Sequence, residues 1–145
     1  MRRRRLLILV FGFGSLIAIT FMGTSVESIV AFLHPTNSIQ KAQAGPYQVT
    51  LQITPNPPSV MRPADFTLQI VHAATQQFLA NAHVSVESNM ESMDMGTDRV
   101  DASQQSSGTY LARVRFIMSG IWQVRVVIAI PGKKTESAVF AIAAQ

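Results

Sequence analysis

From Tyr47 onward, hydrophobic and polar residues alternate with a period of two. Tyr47, Val49, Leu51 and Ile53 are separated by Gln48, Thr50 and Gln52. Such alternation is typical of a strand that buries one face. Similar patterns follow at residues 66–70, 84–86, 99–102, 108–118, 122–128 and 138–142, with proline- or glycine-containing turns between several of them. The pattern predicts an all-β fold, an Ig-like antiparallel β-sandwich of about seven strands.

The N-terminal pattern is different. Arg2–Arg5 precede about twenty uncharged, mostly apolar residues before Glu27, close to the length that crosses a hydrocarbon core of about 30 Å. Four arginines before this segment place the N-terminus in the cytoplasm. A cleaved signal peptide is the alternative, with a small-residue site at 23–25. Both interpretations place the C-terminal part on the extracytoplasmic side.

These patterns divide the chain into four parts. We expect a cytoplasmic basic tail (1–5), a transmembrane signal anchor (6–26), a juxtamembrane spacer (27–45) and the β-domain (46–145). The protein is therefore predicted to be a single-pass protein of the cell membrane, with the lipid bilayer as partner of its N-terminal helix.

Composition excludes several function classes. Arg2–Arg5 account for four of the twelve Lys and Arg residues, and the eight that remain are balanced by eight acidic residues. The β-domain therefore has no net basic charge for nucleic acid. Without cysteine there is no disulfide and no thiol chemistry. Neither a phosphate-binding loop nor a nucleophile elbow occurs, so we do not expect an enzyme.

One segment combines methionines with polar residues. Met90, Met93 and Met95 lie within six residues, beside Glu91 and Asp94, which favour an exposed loop. Thioether sulfur is a soft, neutral donor that suits Cu(I) better than Zn²⁺, Mg²⁺ or Ca²⁺. The segment predicts a Cu(I) site in which at least two of the methionines supply sulfur.

A histidine could complete this set. His83 has the opposite strand parity to Val84 and Val86, so we expect it to be exposed and able to act as a further ligand. The structural alternative needs no metal. In it, Met90 faces inward at the end of its strand, while Met93 and Met95 cover one end of the sandwich.

Together these residues resemble a known family. The resemblance is carried by the order of these residues: Ala82-His83-Val84-Ser85-Val86, the methionines 90, 93 and 95, Gly108 and Tyr110, then Phe116, Met118, Gly120, Trp122 and Val124. In this order the sequence resembles the YtkA-like domain, which is similar in turn to FixH-like proteins. The likeness covers roughly Tyr47 to Ile142. The sequence departs from the family pattern in the loop that holds Met90, Met93 and Met95, because Glu91-Ser92 stands where the family commonly has a proline.

The resemblance implies an extracytoplasmic, often membrane-tethered Ig-like domain. It also implies a connection with copper handling and, as a partner, a copper-containing respiratory enzyme or another extracytoplasmic protein. Two functions stay open: Cu(I) binding or delivery, and a non-metal module that docks a protein partner. Met93 and Met95 pointing outward near Met118 or a histidine would favour copper.

The predicted anchor leads to a first test. A fusion of the full chain to a reporter that is active only outside the cytoplasm should give signal. The fusion should also stay in the membrane fraction after a high-salt wash, because the apolar segment holds it there. Recovery of a soluble, N-terminally trimmed species would show a signal peptide instead.

Overall fold

A computed structural model describes residues 38–93 and 95–145. These residues form an antiparallel sheet of eight strands, and no helix occurs among them. The strands are β1 (Ile39–Ala44), β2 (Tyr47–Thr54), β3 (Pro63–His72), β4 (His83–Met90), β5 (Asp98–Ser106), β6 (Thr109–Arg115), β7 (Gly120–Ala129) and β8 (Glu136–Ala144). The predicted all-β antiparallel architecture is confirmed, with eight strands in place of about seven.

The sheet curls until it is nearly a barrel. Its strand order is β1-β2-β3-β6-β5-β4-β7-β8, so β1 and β8 are the two edges. These edges lie against each other, and the buried Gln40 of β1 donates a hydrogen bond from Nε2 to the carbonyl oxygen of Ala141 in β8 (3.1 Å). This contact partly closes the sheet on itself, which protects edges that would otherwise be open to other chains.

The period-two pattern places the core as predicted. Along β2, alternate residues are buried, and the inward residues of β3, β6, β7 and β8 join them in one cluster. Phe116 lies between Phe66, at a ring distance of 6.1 Å, and Trp122, at 5.2 Å in an edge-on arrangement. Arg113 and Arg115, on the other parity of β6, are exposed, as the sequence predicts.

Strand β1 lies within the segment that the sequence predicts to be a spacer. Residues 39–44 were assigned to the segment 27–45, but they pair with β2 from Ile39–Gln52 to Ala44–Tyr47. The inward positions of β1 are occupied by Gln40 and Ala44, so no hydrophobic alternation marks the strand. A two-residue turn that starts with Gly45 (φ 55°) joins β1 to β2, a position where glycine is favoured.

Strand β5 is longer than the predicted 99–102. Its first half pairs with β4 and its second half, through Ser103 and Gln104, pairs with β6. The second half is polar and exposed, which hides it from a search for alternation. By pairing on both sides, β5 joins the two halves of the sheet.

The predicted anchor (6–26) lies outside the described residues. Between residues 38 and 145, leaving out residue 94, there is no helix of the length and hydropathy that crossing a membrane requires.

Burial of the single tryptophan leads to a prediction about the core. Trp122→Ala should reduce the free energy of unfolding by about 3–5 kcal/mol, because the indole is 4% exposed and packs on Phe116. Arg115→Ala, on an exposed side chain, should change it by no more than about 0.5 kcal/mol. Denaturant unfolding measures both. Equal losses would contradict the strand register.

Candidate functional site

All methionines among the described residues lie at one end of the sheet. The connections β2–β3, β4–β5 and β6–β7 meet there, because each strand runs antiparallel to the strands it pairs with. We call this end the methionine end; it carries Met61, Met90, Met93, Met95 and Met118.

Backbone hydrogen bonds tie these connections to each other. The N–H of Met61, in the β2–β3 connection, donates to the carbonyl oxygen of Phe116 (2.8 Å). The N–H of Glu91, just after β4, donates to the carbonyl oxygen of Ile121 in β7 (3.1 Å). Each bond joins segments that are distant in sequence, so the methionine end is one composite surface.

Met90 belongs to the core. It is 8% exposed and lies opposite Trp122 in the pairing of β4 with β7. Its methyl carbon, Cε, lies 2.7 Å from the place where a Cβ on Gly120 would be, and Gly120 has a φ of 138°. Only glycine combines that backbone conformation with that space. The structure therefore does not bring Met90 to the surface with the other two predicted ligands.

Met93 and Met95 are exposed, at 46% and 47%. The N–H of Met95 donates to the carbonyl oxygen of Met93 (3.1 Å), which draws the two residues together. An extended segment would hold their Cα atoms roughly 6.6–7 Å apart. Two exposed methionines thus lie two residues apart, joined by a backbone hydrogen bond, in the connection where the sequence predicts them.

Met118 lies beyond the end of its strand, although the alternation at residues 108–118 predicts a strand that includes it. Strand β6 ends at Arg115, and Met118 is exposed in the connection that follows. Phe116 is still buried, but its carbonyl oxygen accepts from Met61 instead of continuing the strand pairing. The indole Nε1 of Trp122 donates to the carbonyl oxygen of Met118 (3.0 Å) and fixes the connection over the core.

A groove of about 290 Å³ separates two of the connections. Met95 lies on its β4–β5 side and Ile117 on its β6–β7 side, with Trp122 also among the lining residues. Asp98 and Arg115 add one charge of each sign to its walls. The groove is therefore apolar in part and open beside one of the exposed methionines.

His83 is a correction to the predicted ligand set. It begins β4 while Met90 ends it, so the two Cα atoms are about 23 Å apart at 3.3 Å per residue. The side chain is exposed, as predicted, and its Nε2 lies 3.3 Å from Oδ1 of Asp101. Strand parity identifies the face of the sheet on which a residue lies, but not the end of the sheet. His83 lies at the end of the sheet away from the methionines.

The other histidine of the described part is also at that far end. His72, the last residue of β3, lies against Tyr47 with ring centroids 4.8 Å apart. Among residues 38–93 and 95–145, no three histidine, aspartate or glutamate side chains are grouped so that they could hold a metal ion.

The exposed Met61, Ile117 and Ile121 are not predicted by the sequence pattern. All three are exposed at the methionine end. Met61 also has a φ of 64°, a left-handed conformation that is uncommon for a residue with a side chain. No local pattern marks these residues. The available signal is topological, because alternate connections of an antiparallel chain lie at the same end.

Comparison with known proteins gives one family. The family model described as YtkA-like matches residues 41–127, from within β1 to within β7. The predicted resemblance is thereby confirmed over residues 47–127 of the predicted range 47–142, and the match begins earlier, within β1. The search of curated proteins found no match to this chain.

Proposed function

Because the chain belongs to the YtkA-like family, we propose that it is a membrane-anchored extracytoplasmic module that binds or delivers Cu(I) through its methionine-rich connection. The ion is cargo in this proposal, passed to a copper-containing respiratory enzyme or another extracytoplasmic protein. No reaction on a substrate is proposed.

The observation that carries the proposal is the exposed pair Met93 and Met95. Methionine usually fills gaps in a core, as Met90 does here, so two thioethers left together in solvent need another explanation. Their sulfur atoms fit the soft Cu(I) ion, and neutral thioethers need no deprotonation to bind it. Zn²⁺ should bind poorly, because it prefers imidazole, thiolate and carboxylate donors.

Within the predicted ligand set, burial and position support these two residues as the ligands. Met90 is buried and would have to leave the core to reach the ion. His83 lies at the opposite end of β4 from Met90 and therefore far from Met93 and Met95. Glu91 is exposed in the same connection, and its carboxylate contributes negative potential that favours a cation. Two sulfur donors leave positions on Cu(I) open, which suits an ion that is to be passed on.

We further propose that the domain has the Ig-like topology. In an Ig constant-type domain the strands form the sheets ABED and CFG. The order β2-β3-β6-β5 followed by β4-β7-β8 corresponds to those two sets, with β1 added at one edge. In this correspondence the methionine end carries the A–B, C–D and E–F loops, and the opposite end carries the B–C and F–G loops that Ig variable domains use for recognition.

A second function has its own support. Several large apolar side chains, among them Ile117, Met118 and Ile121, are exposed at the methionine end. Exposed apolar patches of this kind mark interaction sites. The alternative is therefore an Ig-like module that docks an extracytoplasmic protein without metal.

Copper titration distinguishes the two functions. The full chain in detergent is titrated with Cu(I) against a competing chelator, because a fragment starting at Gly45 would lack β1. Met93→Leu combined with Met95→Leu keeps the volume and hydrophobicity of both side chains, so folding should survive at less than about 1.5 kcal/mol per site. The affinity for Cu(I) should fall by at least about a hundredfold, equivalent to about 2.7 kcal/mol.

Met90→Leu is the matched control. It removes a thioether from the same segment, but a buried one, and should leave the Cu(I) affinity unchanged. If the parent does not bind Cu(I), or the double variant binds it equally well, the exposed methionines serve packing or docking and the second function replaces the first.

A further inference from the structure

Exposed hydrophobic residues are concentrated at the methionine end. Large apolar side chains exposed at this end are those of Ile39, Met61, Met93, Met95, Ile117, Met118 and Ile121. In the rest of the described residues, the large hydrophobic side chains that are exposed are Phe78, near the opposite end, and Val139, within β8. Soluble domains seldom concentrate apolar surface in this way unless something covers it.

Two of the connections form a continuous face with a distinct charge. Met61 is bonded to Phe116 through the backbone, and Pro63 pairs with Arg115 in the sheet. Arg62 and Arg115 are both exposed, and in the part of the chain that the structure describes neither forms an ion pair. We call the set of Met61, Arg62, Arg115, Ile117 and Met118 the docking face.

Charge separates the docking face from the proposed copper loop. The exposed acid Glu91 lies in the β4–β5 connection with Met93 and Met95, and the exposed Asp98 is the first residue of β5. The docking face combines apolar side chains with two unpaired arginines. Its composition is that of surfaces that insert apolar groups below the headgroups of a bilayer while cationic side chains meet the lipid phosphates.

The chain enters the domain at this same end. Ser38 accepts a hydrogen bond at its carbonyl oxygen from the N–H of Ile53 (3.0 Å), near the end of β2. Between the predicted span (6–26) and Ser38 there are eleven residues, which reach at most about 40 Å. A tether of that length, attached at this end, keeps the docking face within reach of a bilayer that holds the span.

We propose that the docking face rests on the lipid surface, with Met61, Ile117 and Met118 below the headgroups and Arg62 and Arg115 beside the phosphates. This proposal rests on the membrane anchoring in the proposed function. It does not require copper, although Arg115 and Ile117 also line the groove beside Met95. It also gives Met61 a role: its strained backbone presents an apolar side chain at the lipid-facing surface.

Single fluorescent labels test the proposal, because the chain has no cysteine of its own. Ile117→Cys and Phe78→Cys provide a matched pair, 48% and 53% exposed and at opposite ends. The full chain carrying an NBD label at either position is reconstituted into phosphatidylcholine–phosphatidylglycerol vesicles that contain doxyl-labelled lipid. We expect the doxyl lipid to quench the label at position 117 several-fold more strongly than the label at position 78.

A charge-reversal variant checks the arginines. Arg62→Glu with Arg115→Glu, introduced into the Ile117→Cys protein, should lower the quenching to the level at position 78, because carboxylates repel the phosphates. Both side chains are exposed, so the fold should be retained, and circular dichroism of the variant checks this.

Other outcomes overturn the proposal in recognisable ways. Equal quenching at both positions, or none at either, contradicts docking while anchoring stands, provided that the protein floats with the vesicles. A blue shift at position 117 without lipid quenching, growing with the protein-to-lipid ratio, would instead identify a second copy as the occupant. A chain that does not float contradicts both anchoring and docking, and the titration in detergent still decides copper binding separately.

Discussion

Antiparallel pairing between neighbouring strands is the constraint on which the candidate site depends. Because each strand reverses direction, the connections alternate between two ends, and β2–β3, β4–β5 and β6–β7 meet at one of them. The hydrogen bond from Gln40 to Ala141 helps to close the sheet and so brings these connections into a ring. Methionines from segments far apart in sequence thereby share one surface, while His72 and His83 lie at the other end.

Sequence alone predicted the parts of the fold that alternation records. Strands with apolar inward positions, such as β2 and β7, were found, whereas β1 and the second half of β5 were missed because Gln40, Ala44 and the polar residues 103–106 carry no such pattern. Their strand conformation comes from pairing with neighbours. In the site, the acidic neighbours predicted the exposure of Met93 and Met95, but parity could not show that His83 lies at the wrong end. Met61 could have been placed at the methionine end from the order of the strands, because the β2–β3 connection lies at the same end as the β4–β5 connection.

The two proposals assign different chemistry to adjoining parts of the methionine end. The β4–β5 connection offers soft sulfur beside acids, which favours a monovalent copper ion. The other two connections offer apolar side chains beside arginines, which favour lipid. A domain held in this way would keep its copper loop close to the membrane, where a membrane-bound respiratory enzyme could receive the ion. Beneath this surface, Gly120 leaves room for the buried side chain of Met90.

The central claim is that exposed methionines bind Cu(I) while the buried one only packs. Methionine methyl NMR of the full chain, labelled with ¹³C at the methyl group and assigned through single Met→Leu variants, tests this claim most directly. On addition of Cu(I), the methyl signals of Met93 and Met95 should shift together, since both sulfur atoms are proposed to bind the ion, and the signal of the buried Met90 should not move. Unchanged signals from Met93 and Met95, or a shift confined to Met90, would contradict the account.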